Sequence, residues 1–192
     1  MSNYQITIKE KNGNEYKTLR DILPESGPID ILFIGKVPAE ISVERGHYFQ
    51  GNQGTAFWNM LGKYHILKKG QYQYYDEALV KNNYGITDIV KKPRNYGNEP
   101  GNTEYIEGKK RIMELIEQYS PRIIVFAYKP PFEALIPRYE KVDYGFNPHC
   151  DKYFGGAKTF LFPMSGTPCN REKQFKVMCE LCETLHKIRG LE

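Results

Sequence analysis

Arg122-Ile123-Ile124-Val125-Phe126-Ala127-Tyr128 is the stretch that decides the class of fold. Six apolar residues in a row, three of them β-branched, describe a strand covered on both faces. Ser120-Pro121 stands just before it and closes a helical stretch. In that stretch, residues 104–119, Ile112, Leu115, Ile116 and Tyr119 fall on one face, with Lys and Glu opposite. Just after the strand, Pro130-Pro131 opens a short helical piece that Pro137 closes. Further out the pattern repeats. Residues 29–34 form an apolar run ended by Gly35, residues 86–90 another stopped by Lys91-Lys92-Pro93, and residues 159–162 a fourth. Residues 55–64 carry Phe57, Trp58, Leu61 and Tyr64 at helical spacing. Residues 171–188 predict a long helix with Phe175, Met178, Leu181, Cys182 and Leu185 inward. Strand and helix repeated four times predict an α/β fold, a three-layer α/β/α sandwich with a mainly parallel four-stranded sheet.

Residues 1–28 read as an N-terminal β-hairpin extension, and residues 29–192 as a single α/β domain. Residues 4–9 alternate, with Ile6 and Ile8 on one face, Asn12-Gly13 is a hairpin turn, and residues 15–19 return.

The whole chain has 192 residues, 40% apolar, 26% charged and 14% aromatic, enough for a proper core and unlike a disordered chain. The longest apolar run has six residues, far below the ~20 of a membrane helix. The polar first 25 residues carry no secretory signal, and Cys150, Cys169, Cys179 and Cys182 suit reduced thiols in a cytoplasm. A formal charge of +4 is compatible with nucleic acid without demanding it. No metal or other cofactor is expected.

In parallel sheets, ligands bind beyond the carboxyl ends of the strands. Those ends carry residues 35–54, 91–103, 128–131 and 164–170. The first loop is too long for a mere connection and holds Glu40, His47, Tyr48, Phe49, Gln50 and Asn52.

At these loops the sequence resembles the uracil-DNA glycosylase superfamily, most closely its mismatch-specific thymine/uracil and its deoxyinosine/hypoxanthine branches. Gly35-Lys36-Val37-Pro38-Ala39 is similar to the family's first motif, G-x-x-P-G. Tyr48-Phe49 and Phe57-Trp58 look like its aromatic pair and the F-W that opens the next helix. Gly85-Ile86-Thr87-Asp88-Ile89-Val90-Lys91-Lys92-Pro93 is similar to G-V-T-x-L-V-x-x-P. Pro163-Met164-Ser165-Gly166-Thr167-Pro168-Cys169-Asn170-Arg171 resembles the last motif. The resemblance covers about residues 30–188.

It implies a monomeric, monofunctional DNA glycosylase that binds DNA, flips out a base and hydrolyses its N-glycosidic bond. The base would be uracil, a mismatched pyrimidine or a deaminated purine. Gly35, Lys36, Val37 and Pro38 would shape the base pocket, and Phe49, or Tyr48 beside it, would stack on the base. Ser165, Gly166, Thr167 and Pro168 would enter the duplex, with Arg171, Lys91, Lys92 and Arg94 on phosphates. Two positions depart from the pattern. Val37 stands where the mismatch-specific branch has Asn, and Met164 near the family's Asn or His. Asn52 is therefore the first candidate for the water-positioning residue and Glu40 the second, with Lys36 placed to neutralise Glu40. Thr55 and Asp88 follow, Asp88 reading more readily as a loop cap. A non-catalytic nucleic-acid or nucleobase binder of the same fold stays open.

Other groups carry less. Cys179-x-x-Cys182 sits inside an amphipathic helix and reads as free thiols, and His149-Cys150-Asp151 as an ordinary loop. Tyr72, Tyr74 and Tyr75 fit strand, stacking surface and core alike.

Overall fold

Four parallel strands meet in one sheet, and the middle two are apolar on both faces. In the computed structural model, which describes residues 3–10, 12–95 and 98–191, β1 (Gln5–Lys9) and β2 (Glu15–Leu19) form the antiparallel hairpin. The main sheet contains β3 (Ile31–Gly35), β4 (Tyr84–Asp88), β5 (Ile123–Phe126), β6 (Gly145–Phe146) and β7 (Lys158–Leu161), in the order β4-β3-β5-β7-β6. β4, β3, β5 and β7 are parallel, each within two residues of its expected start. β6 is the addition, a fifth strand antiparallel to β7. Two residues are too few to show a period, so nothing in the sequence announces it.

Ile31, Phe33 and Val125 point to one face, where α2 (Asn52–Lys63) and α5 (Arg171–Arg189) lay Phe57, Leu61, Met178 and Leu181 over them. Leu32, Ile34 and Phe126 point to the other, under α3 (Asn102–Tyr119) and α4 (Lys129–Leu135) with Ile112, Ile116 and Phe132. The chain is thus a three-layer sandwich with the hairpin added. Phe175 is a correction: it is 59% exposed on α5, where Val177 is buried instead. Its ring rests against Tyr64, 6.2 Å between centroids.

The long loop after β3 holds a short helix, α1 (Glu40–Arg45), closed by Gly46 at φ +72°. Tyr74 stacks on His47 at 3.6 Å, and Tyr75 lies parallel to Trp58 at 5.8 Å, so these two tyrosines are packing residues. The hairpin is tied to the sheet. Thr18 and Leu19 are fully buried, and Ile22 exchanges both backbone hydrogen bonds with Ile86, covering the outer edge of β4.

The helix that follows β3 lies on one face and the helix that follows β5 on the other. Their loops part at the carboxyl ends of these neighbours, and a crevice opens there.

Candidate active site

That crevice is a pocket of about 460 Å³ whose wall includes Leu19, Val37, Pro38, Tyr48, Phe49, Asp88 and Tyr128, with Asn52 and Gln53 from the start of α2. Gly35 ends β3 behind that wall, against Asp88 and Phe49. A methyl group there would overlap Asp88 Oδ1 and come within 3.2 Å of Phe49 Cζ. Glycine is what lets a carboxyl and an aromatic ring meet at the strand end.

Phe49 sits at φ +55°, a left-handed conformation that costs a side-chain-bearing residue roughly 1–2 kcal/mol. Its neighbours hold it there. The Tyr48 N–H donates to Asp76 Oδ2 at 2.8 Å, Trp58 Nε1 donates to the Tyr48 carbonyl at 3.0 Å, and the Gln50 N–H donates to Ser42 Oγ at 3.0 Å. Asp76 is itself buried and lies 2.9 Å from His47 Nδ1. Phe49 meets Phe57 at 4.9 Å and Tyr128 at 6.5 Å, both edgewise, while part of it stays exposed to the pocket. Tyr48, by contrast, is buried, its hydroxyl donating to the Arg20 carbonyl and accepting from Lys91 Nζ, each at 3.1 Å. Of the pair, Phe49 is the one placed to stack on a ligand.

Gly54, on the first turn of α2, packs against the Phe49 backbone so closely that a methyl group would overlap the Phe49 carbonyl. Gly54→Ala should therefore destabilise the fold by about 1–3 kcal/mol, the usual cost of overpacking. Urea unfolding measures it, and an unchanged midpoint would show that this contact does not hold the loop.

Asp88 ends β4. It is wholly buried, and its Oδ1 has no hydrogen-bond partner among the described residues. Burial pushes its carboxyl up to about 7; the Lys91 and Arg111 charges oppose this and that of Asp21 adds to it. Near neutral pH it is poised between acid and carboxylate. Burial, with the Asp88 charge, likewise pushes the Tyr128 hydroxyl up to about 12. The sequence offers Asp88 only after Asn52, Glu40 and Thr55, and does not offer Tyr128. The available signal is an acid at the end of an apolar strand, where a partner is hard to find.

The other candidates disperse. Asn52 is exposed at the pocket rim. Glu40 is exposed on the first turn of α1 and is not part of the wall. Lys36 pairs with Glu99 at 2.6 Å rather than with Glu40, correcting that pairing. Thr55 donates its hydroxyl back to the Gly51 carbonyl. A second hollow of about 410 Å³ includes Lys36, Arg94 and Asn95, and shares Val37, Ala39, Gln53 and Tyr128 with the pocket.

Lys91 is also corrected. Its ammonium turns inward to Asp21 Oδ1 at 2.8 Å and to the Tyr48 hydroxyl at 3.1 Å. Lys92 is exposed and pairs with Glu10 of the hairpin at 2.8 Å, while Arg94 pairs with Glu104. Tyr96 of this loop lies outside the described residues. Ser165, Gly166 and Pro168 are exposed, and a methyl group on Gly166 would lie 3.9 Å from Gln53 Nε2, which sets this loop beside the pocket rim. Thr167 donates its hydroxyl to the carbonyl of Met164, which is buried in the core. Arg171 is exposed on the first turn of α5.

The four cysteines are free, and Asp151 accepts from Thr159 rather than meeting Cys150. Among the described residues no cluster of three His, Cys, Asp or Glu could hold a metal, and no helix is long and apolar enough to cross a membrane.

The pocket, its aromatic wall and the flanking loops can now be set beside known proteins. The model of the uracil DNA glycosylase superfamily matches residues 25–176. A protein of Methanosarcina barkeri (strain Fusaro / DSM 804) named hypoxanthine DNA glycosylase is 36% identical over 72 residues. Those residues cover 36% of this chain and 45% of that relative, so the likeness spans less than half of either protein. The family match takes in all four parallel strands and every loop that bounds the pocket except the end of the hairpin, and on that breadth the chain belongs to the uracil DNA glycosylase superfamily.

Proposed function

We propose that the protein is a DNA glycosylase that receives an extruded base between Phe49 and Asp88 and hydrolyses its N-glycosidic bond. The observation that carries this reading is the buried, unpartnered Asp88 oxygen in the same pocket wall as the half-buried Phe49 ring. A neutral carboxylic acid offers one donor and one acceptor. It therefore matches a base edge with C=O beside N–H, as in hypoxanthine and uracil. The bond from C1′ to the base breaks with its electron pair going to the base. Water oxygen bonds to C1′ and loses a proton to solvent, and the departing base takes up a proton from solvent, leaving a free base and a C1′ hydroxyl. The Asp88 hydroxyl stabilises the negative charge that grows on the departing base. The name of the Methanosarcina relative makes hypoxanthine the first base to try.

The binder reading has its own support, because Val37 brings an apolar side chain to the pocket and Met164 is buried in the core. One assay separates the two. Oligonucleotides bearing uracil, hypoxanthine, xanthine or a G·T mismatch are incubated with the protein and treated with alkali. Strand cleavage at one of them supports the glycosylase. Tight binding to a modified or abasic oligonucleotide without cleavage supports the binder. If neither cleavage nor binding is seen, neither reading stands.

Both readings give Phe49 the same task. Stacking of a base on an aromatic side chain is worth roughly 1–3 kcal/mol by alanine substitution. Phe49→Ala should weaken binding to an abasic-site or base-flipped oligonucleotide about 5- to 150-fold. Fluorescence anisotropy measures this, and an unchanged affinity would remove Phe49 from the site.

A further inference from the structure

The N-terminal hairpin lies upstream of the segment that the superfamily matches, which begins at residue 25. It nevertheless ends inside the site. Leu19, the last residue of β2, is part of the pocket wall. Two residues on, Asp21 binds two cations at once. Its Oδ1 takes Lys91 Nζ at 2.8 Å and its Oδ2 takes Arg111 Nη1 at 2.7 Å. The Thr87 hydroxyl donates to the same Oδ1 at 2.6 Å, and Thr87 precedes Asp88 on β4. Arg111 also donates to the Asp88 carbonyl. Asp21 is partly buried, and a carboxylate drawn even partly out of water needs its charge met, as the two cations meet it here.

We propose that Asp21 is a positioning residue for the pocket: by engaging both Lys91 and Arg111 it withholds their charge from the Asp88 carboxyl in the pocket wall. The inference rests on reading the pocket as the base site. It deepens that reading by making the hairpin part of the catalytic apparatus.

The charges around Asp88 are few. Asp21 comes from the hairpin, Lys91 from the loop after β4, and Arg111 from α3. Tyr48 from the loop before α2 and Tyr128 ahead of α4 also face it, and burial keeps both hydroxyls protonated. Lys36 lies beyond Tyr128, 5.9 Å from its ring, with its charge met by Glu99. With Asp21 present, two cations face one other anion; without it, both face Asp88 alone. Burial would raise Asp21 itself, but Lys91 and Arg111 outweigh burial and hold it below its ordinary value. It therefore stays ionised wherever Asp88 titrates.

The experiment follows the Asp88 carboxyl by ¹³C NMR in the full-length protein without DNA, the signal being assigned through its loss in Asp88→Asn. In Asp21→Asn the midpoint should fall by about one pH unit or more, the scale of a charge within 4–6 Å. In Lys91→Met it should rise, because a cation has gone. Simple loosening of the site would admit water and lower the midpoint in both variants, so opposite signs support the proposal. Two falls, or an unmoved midpoint in Asp21→Asn, overturn it. If Asp21→Asn does not fold, Lys91→Met decides alone, and a midpoint that fails to rise overturns the proposal. Opposite shifts in a protein that excises no base would uphold this inference while removing the glycosylase reading.

Discussion

Asp88→Asn is expected to make the protein more stable at pH 8, by up to about 4 kcal/mol. The wild-type carboxyl ionises near 7 in the folded chain against 3.8 ordinarily. Each unit of that difference corresponds to ~1.4 kcal/mol. The sign follows from which state holds the proton more tightly. Here it is the folded one, so its advantage is complete below about pH 4 and is lost as pH rises toward 7. Above 7 the fold carries an ionised, unpartnered carboxylate and the loss is constant. Asparagine does not ionise, so its stability should lack this slope. Urea unfolding of both proteins from pH 5 to pH 8 checks it. The gap should be under ~2 kcal/mol at pH 5 and open toward ~4 at pH 8, less whatever the unpaired amide costs. Parallel curves would show that Asp88 titrates normally and would remove it as a neutral donor. Asp88→Ala, which takes away the donor altogether, should slow excision about 100- to 1,000-fold, the range for loss of one preorganised donor. A residue that destabilises the fold where it serves the reaction is the usual mark of a site under functional constraint.

The central sheet was legible because burial on both faces leaves no room for polar alternation. Residues 29–34 and 122–128 carry that signature openly, and the helices between them show one apolar stripe each. What escaped had no period to show. β6 is two residues long and owes its existence to β7 beside it. Phe175 obeys the helical spacing but lies toward the start of α5, where the helix overhangs the core and Tyr64 offers only partial cover. Hydrophobic spacing identifies a face without saying where along the helix the core ends.

The site was legible only in part, and the division again has a cause. Gly35 and Phe49 lie in one long loop whose length and aromatic content mark it as more than a connection. Asp88 and Lys91 were harder to read because their roles depend on partners far away in sequence. Lys91 turns inward to an aspartate 70 residues before it, and the same aspartate meets an arginine 90 residues beyond itself. A Lys-Lys-Pro-Arg run in a loop looks like a solvated basic patch until Asp21 is seen beneath it. The hairpin, likewise, looks like a separate extension because its own strands are polar on the outside. Its contribution is at the tail, where Leu19 and Asp21 enter the domain it seemed only to precede.

Asn52→Ala is expected to slow base excision at least ~100-fold, whereas Glu40→Gln should leave it unchanged. Elimination inside the pocket supports the choice. Ser42 Oγ already accepts the Gln50 N–H, and the Tyr48 hydroxyl is committed to Arg20 and Lys91. Asp88 lies in the wall against Gly35, where the base edge would rest, and Val37 is apolar. Asn52 and Gln53 are the neutral amides of the wall, at the mouth where the sugar of an extruded nucleotide would remain. An amide orients water without adding charge beside a cationic sugar. Glu40 would add charge, but it stands outside the wall on α1. Single-turnover excision on the best substrate measures both variants, with Gln53→Ala and Val37→Asn beside them. A slow Asn52→Ala with a normal affinity for abasic DNA places Asn52 on the water. Loss in Gln53→Ala alone moves the role one residue along the helix. If Val37→Asn creates excision in a protein that had none, the first motif has lost its water-holding group, and the wild-type chain binds bases without cleaving them.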